Sequence, residues 1–201
     1  MKKNYRIAGL CFSLFLTILL ACTASDKPDT AANKAKPDKV LVNPNPFPFY
    51  KRMEIKPGYY FEVLSWGRGV DSVGAYLILM SDSVRQNYRS VSVERKGILV
   101  DAWNMDLDND GNPEVYVQYL VRQNVNDLHV YEFSGNSFDK ITFPGLNDRY
   151  KADFKGNDRF FVKNGGLFRS VPLVKKGEAK ASEEKQVEYL LSGNRFSSQE
   201  K

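Results

Sequence analysis

From about Phe47 onward the chain is cut into short runs rich in β-branched and aromatic residues. These are "GYYFEVLSW", "GAYLILM", "RSVSVER", "GILVDAWNMD", "EVYVQYLVR", "DLHVYEF", "SFDKITF", "DRFFVKN", "GLFRSVPLV" and "QVEYLL". Gly, Asn, Asp and Ser separate them, and each run is too short for an ordinary helix. In "EVYVQYLVR", Val115, Val117, Tyr119 and Val121 share one face of a strand, and Tyr116, Gln118 and Leu120 share the other. "FSGNSFDK" and "VKNGGLF" carry the Gly and Asn that hairpin turns require at positive φ. No apolar stripe at helical spacing persists beyond about two turns. The pattern predicts an all-β fold, an antiparallel β-sandwich or partly closed barrel of about 8–10 strands. It assigns residues 46–198 to this domain. The charged "KKGEAKASEEKQ" reads as a solvated loop, and the final "SSQEK" is expected to fray.

A core of this kind has no covalent staple. Cys11 and Cys22 both precede the β-rich region, so no disulfide or thiol chemistry is available to it. Packing alone must hold the domain, and its length suffices for one core of ordinary size.

The segment before the domain has another logic. Lys2, Lys3 and Arg6 form a basic head, "IAGLCFSLFLTILLA" is apolar, and "LLAC" closes it at Cys22. This is the layout of a secretory signal, and the span is short for a membrane-crossing helix. Leu19-Leu20-Ala21-Cys22 resembles the lipobox of bacterial lipoproteins. That resemblance implies cleavage of residues 1–21 and acylation of Cys22, with palmitate among the chains, and so a stable lipid anchor in the membrane. Residues 22–45, small, charged and proline-rich, read as a flexible tether. By the sorting rule of enterobacterial lipoproteins, Thr23 in place of an aspartate points to the outer membrane, facing periplasm or surface. Removing the signal leaves 29 − 3 = 26 basic residues against 24 acidic, a net +2. The high pI therefore belongs largely to the signal and gives no support for a nucleic-acid partner.

Catalytic patterns are sparse. The single histidine, His129, alternates with Tyr131 and Phe133 in a strand, where a structural role is expected. No nucleophile elbow, phosphate loop or H-E-x-x-H motif is present. The expectation is a protein that is not an enzyme.

The most distinctive local feature is "MDLDNDGNPEVYVQY", residues 105–119. Asp106, Asp108, Asp110, the Asn112 carbonyl and Glu114 stand where loop positions 1, 3, 5, 7 and 9 of a Ca²⁺ site supply oxygens, and Gly111 permits the sharp turn. Position 12, the bidentate glutamate of an EF-hand, is Val117. Two readings are open: a structural Ca²⁺ loop between strands, or a turn whose aspartates cap backbone N–H groups. Repulsion among four carboxylates with no Lys or Arg between them favours the cation.

Four stretches in order, "DSVGAYLILM" (71–80), "DLDNDGNPEVYV" (106–117), "GNDRFFVKNGGLFRSVPL" (156–173) and "QVEYLL" (186–191), resemble the periplasmic inhibitors of invertebrate-type lysozyme. That family has a Ser-x-Gly-x-Tyr stretch entering a strand, an acidic loop running into a Pro-Glu strand, and an Asp-Arg-Phe strand followed by a hairpin and a proline. The resemblance implies a β-sandwich whose exposed loops occlude a lysozyme cleft. Ser72, Gly74 and Tyr76 match one loop and are candidate partner-binding residues. The family's inhibitory loop carries a Ser-Gly-x-Tyr signature, whereas "RQNVNDLH" (122–129) stands there in this chain. Its candidate contacts are Asn124 and Asn126, and inhibition of that lysozyme class is less well supported than the fold. For Ser72, Gly74 and Tyr76, a tight turn with a core tyrosine is an equal alternative. The combined expectation is a lipid-anchored envelope protein that binds a protein partner, a lysozyme being the named candidate. Its alternative is a structural or assembly outer-membrane lipoprotein with a Ca²⁺-stabilised β-domain.

Overall fold

The structure is a computed structural model that describes residues 47–66, 73–122 and 124–201. The signal, the tether, Cys22 and Ser72 lie outside the described residues. The runs form strands as their composition dictates: β1 (Phe49–Lys56), β2 (Tyr59–Trp66), β3 (Val73–Asp82), β4 (Asn87–Lys96), β5 (Ile98–Met105) and β6 (Glu114–Arg122). There follow β7 (Val125–Ser134), β8 (Ser137–Ile141), the single turn α1 (Asp148–Lys151), β9 (Arg159–Lys163), β10 (Gly166–Leu173), β11 (Glu183–Ser192) and β12 (Arg195–Glu200). Among the described residues, no helix is long and apolar enough to cross a membrane.

The fold is all-β and antiparallel. The strands form three four-stranded meanders, ordered β1-β2-β3-β4, β5-β6-β7-β8 and β12-β11-β10-β9, with no closed barrel. Twelve strands stand where eight to ten were expected. The additional ones are β1 and β12, both edge strands. The C-terminal "SSQE", expected to fray, pairs with β11 through Glu200, and the Lys201 amide donates to the Gln186 carbonyl at 3.0 Å.

The middle sheet, β5–β8, sets the layering. One of its faces contributes Leu99, Ala102, Val115, Val117, Tyr119 and Tyr131 to a core shared with Phe61, Val63, Tyr76, Ile78 and Met80 of the first sheet. The opposite face contributes Tyr116, Leu128, Val130 and Ile141 to a second core with Leu167, Val171, Val187 and Tyr189 of the third. The alternation read in β6 is therefore real, but both of its faces are covered, and Glu114 to Val117 are all buried. Burial on both sides makes this antiparallel strand read as a nearly continuous apolar run, a pattern usual for interior parallel strands. A bulge between Leu99 and Asp101 shifts the phase of β5, so Leu99 and Ala102 face the same core despite their odd spacing.

Up-and-down connectivity sorts the loops into two groups. The β1–β2, β3–β4, β5–β6 and β7–β8 turns lie at one end of the first two sheets. The β4–β5 and β6–β7 connections lie at the other. The acidic loop and the 122–126 turn are thus at opposite ends.

Candidate metal centre

β5 ends at Met105 and β6 begins at Glu114, so the acidic segment is the turn between two paired strands. Asn109 and Gly111 take positive φ, of 58° and 88°, which folds the chain back on itself. Asp106 accepts from the Asp110 amide at 3.0 Å and from the Gly111 amide at 3.1 Å. Asp110 accepts from the Asn112 backbone amide at 2.8 Å and from its side-chain amide at 3.0 Å. These are the caps of the turn reading.

They do not account for the other two carboxylates. Glu114 is fully buried, and its Oε2 accepts from the Leu107 amide at 2.8 Å and from the Tyr116 hydroxyl at 3.2 Å. Its Oε1 has no partner, nor does the buried Oδ1 of Asp108. Asp106, Asp108, Asp110 and Glu114 present one oxygen each within 4.8 Å of one another, a spacing compatible with one shared cation. Burial pushes the Glu114 carboxyl up to about 7; the Leu107 hydrogen bond opposes this, and repulsion from Asp108 adds to it. An acidic pocket with unused buried oxygens is the electrostatic setting in which a hard cation replaces missing donors. Asn112 lies in the same turn, with its backbone and side-chain amides on Asp110.

The candidate partner-binding residues fare differently. Tyr76 is fully buried. Its hydroxyl is 2.7 Å from Nδ1 of His129 and donates to the Tyr131 hydroxyl at 3.2 Å, bridging the first and middle sheets. It offers no surface to a partner; core packing, the alternative weighed for it, accounts for its position. Burial, then the charge of Lys140, pulls the His129 imidazole down to about 4, in keeping with a neutral ring in the interior. At Gly74 a β-carbon would meet the Trp66 carbonyl oxygen at 3.0 Å and the Arg95 guanidinium at 3.2 Å, so its small size serves packing.

Asn126 is likewise occupied. Its amide donates to Asp158 Oδ1 at 3.0 Å, its side chain donates to the Asp158 carbonyl at 2.7 Å, and its Oδ1 accepts from Gln118 at 2.6 Å. Arg169 donates to the Asn126 carbonyl at 3.0 Å and from Nε to Asp158 Oδ2 at 2.9 Å, and its Nη2 stands in ion-pair contact with the same oxygen at 2.9 Å. Asn124 is exposed, but its side chain donates to the Lys155 carbonyl at 3.1 Å and its carbonyl accepts from Asn157 at 2.6 Å. The 122–126 turn is thereby fixed to the segment before β9.

A cleft of about 480 Å³ opens beside the acidic loop, with Tyr59, Met80 and Phe133 in its lining and Asn104, Asn112 and Asn136 around them. A second, of about 660 Å³, lies beside the 122–126 turn and includes Arg122, Asn124 and Lys155. Comparison with protein-family models, curated proteins and solved structures finds no match to this chain.

Proposed function

We propose that this chain is a lipid-anchored, non-catalytic binding protein of the bacterial envelope, whose β-domain is stapled by Ca²⁺ in the 106–114 loop. The observation that carries the reading is Glu114, a fully buried carboxylate with one unpartnered oxygen, clustered with three aspartates. An ion there ties the β5–β6 turn to the ladder, because Glu114 begins β6 and Phe133 of β7 donates to the Pro113 carbonyl at 3.0 Å. The loop also forms one wall of the 480 Å³ cleft, so the ion would fix a recognition surface as well as a turn. Extracellular modules hold Ca²⁺ with Kd of about 10⁻⁴–10⁻³ M. At ten to a hundred times Kd, linkage stabilises the fold by about 1–3 kcal/mol, and Tm should rise by about 3–10 °C over the protein in chelator. Unchanged Tm between chelator and about 10 mM Ca²⁺, which is ten to a hundred times that Kd range, refutes the staple.

A second reading, occlusion of a lysozyme by loops, is favoured by the fixed 122–126 turn. A turn held by Asp158, Arg169 and Lys155 loses little freedom on binding, which is the condition for a rigid inhibitory loop. Its exposed Arg122 and Asn124 are the groups that would meet a partner. The test is muramidase rate against protein concentration for lysozymes of several classes, in Ca²⁺. Stoichiometric inhibition supports this reading, and full activity at excess protein removes it while leaving the Ca²⁺ staple standing.

A further inference from the structure

We infer that the cleft beside the acidic loop is a binding site for a neutral saccharide, with the side chains of Tyr59, Asn104 and Ser134 as its recognition groups. The inference names a ligand class for the binding protein proposed above; it rests on the binding half of that reading and not on the ion. The cleft is the open end of the first core. Ile55, Tyr59 and Phe133 pack against that core from its edge, and Met80 lies within it. All four line the cleft, so its floor is apolar. The Tyr59 and Phe133 rings stand 6.5 Å apart, and Phe133 packs in turn on Phe61 and Phe138. The acidic loop forms one wall, tied down where the Phe133 amide donates to the Pro113 carbonyl at 3.0 Å. The volume of about 480 Å³ falls within the range of about 300–1,000 Å³ usual for small-ligand sites.

Charge selects against an ionic ligand. The lining carries two cations, Lys56 and Arg85, and two anions, Asp82 and Asp106. Asp82 accepts from the Val84 and Arg85 amides, with Arg85 Nε 3.9 Å away. Asp106 caps the amides of Asp110 and Gly111, and the Lys56 ammonium lies 5.4 Å from the centre of the Tyr59 ring. The lining therefore has no net charge to attract an anion or a cation. Three of its polar groups are left over. Among the described residues, the Tyr59 hydroxyl, the Asn104 side-chain amide and the Ser134 hydroxyl have no hydrogen-bond partner. Asn104 shares the face of Ala102, which points to the first core, and Ser134 follows Phe133 at the end of β7, so both stand beside the apolar floor. All three groups donate and accept at once. A sugar ring is divided in the same way, an apolar C–H face bounded by hydroxyls that donate and accept.

The full chain, in about 10 mM Ca²⁺, would be titrated calorimetrically with the neutral probes chitotriose, cellotriose and maltotriose. At least one should bind. The anionic trigalacturonate and the neutral peptide acetyl-trialanine amide should bind at least about tenfold more weakly than it does. Tyr59→Phe, which keeps the ring, and Asn104→Ala should each weaken saccharide binding by about two- to tenfold. Both should melt as wild type does, since neither group has a protein partner to lose; a structural role would lower Tm instead. Ser92→Ala, exposed on β4, should leave binding unchanged. Should Asn104→Ala not fold, Tyr59→Phe carries the test alone. Failure of every neutral saccharide to bind overturns the inference, and wild-type affinity in the folded variants overturns the site. Tighter binding of trigalacturonate or of the peptide overturns the ligand class. Thermal melts in chelator and in Ca²⁺ keep the two readings apart. A Tm raised by Ca²⁺ without saccharide binding leaves the staple and removes this inference, whereas saccharide binding without a Tm rise does the reverse.

Discussion

Replacing Arg169 with Met tests whether the 122–126 turn is held by the buried ion pair. The pair is almost wholly desolvated, with side-chain exposures of 4% for Arg169 and 0% for Asp158. Asp158 accepts one hydrogen bond from the guanidinium Nε, with Nη2 in ion-pair contact, and one from the Asn126 amide, and the guanidinium also reaches the Asn126 carbonyl. Methionine fills much of the volume but donates nothing. The loss is therefore not one contact but a carboxylate left in the interior with a single backbone donor. Breaking a buried pair from one side costs about 3–5 kcal/mol, a large part of the roughly 5–15 kcal/mol that holds an ordinary domain. With an m-value of about 2 kcal/mol/M, the urea midpoint should fall by about 1.5–2.5 M. The 122–126 amides should exchange faster than the core of β6, because their anchor is gone.

The double variant Asp158→Asn with Arg169→Met separates this account from simple loss of packing. Asparagine carries no charge to strand, so the double variant should recover part of the loss, giving a coupling energy of about 1–3 kcal/mol. A single-variant loss below about 1 kcal/mol refutes the account, and so does strict additivity of the two substitutions.

Three further outcomes follow from the geometry. The His129 imidazole titrates near 4 in the fold against 6.5 when free, so the unfolded chain binds the proton first. Stability in Ca²⁺ should therefore fall as pH drops from 6.5 toward 4, and His129→Gln should flatten that part of a pH series of urea melts. Glu114 has the opposite sign, with a folded value of about 7 against 4.5. In chelator, stability should fall as pH rises from 4.5 to 7, and saturating Ca²⁺, which stabilises the ionised form, should remove the decline in a parallel thermal series. At Gly156, φ is 97° and a β-carbon would lie 2.5 Å from the Asn124 amide, so Gly156→Ala should cost about 1–3 kcal/mol in urea unfolding and loosen the same turn.

What the sequence discloses and what it conceals divide along a physical line. Interior strands such as β6 and β10 are legible because each carries its own alternation between turn residues. β1 and β12 escape notice because edge strands carry charge: β1 interleaves Lys51, Arg52, Glu54 and Lys56 with its apolar residues, and the one apolar side chain of β12 is Phe196. The third layer is concealed for a related reason, since alternation assigns residues to faces but does not say that both faces are covered. The acidic loop is legible because its four carboxylates are local, all within nine consecutive residues from Asp106 to Glu114. Tyr76 shows the limit of a short motif: Ser-x-Gly-x-Tyr reads the same whether the ring points out to a partner or inward to His129, and only the neighbouring sheet decides. The Asp158–Arg169 pair is invisible in the chain for the strongest form of this reason. Its meaning resides in the long-range contacts that bring residues 158 and 169 to the connection between β6 and β7. The hairpin between them is set by the 122–126 turn, and that turn is pinned by Asp158 and Arg169.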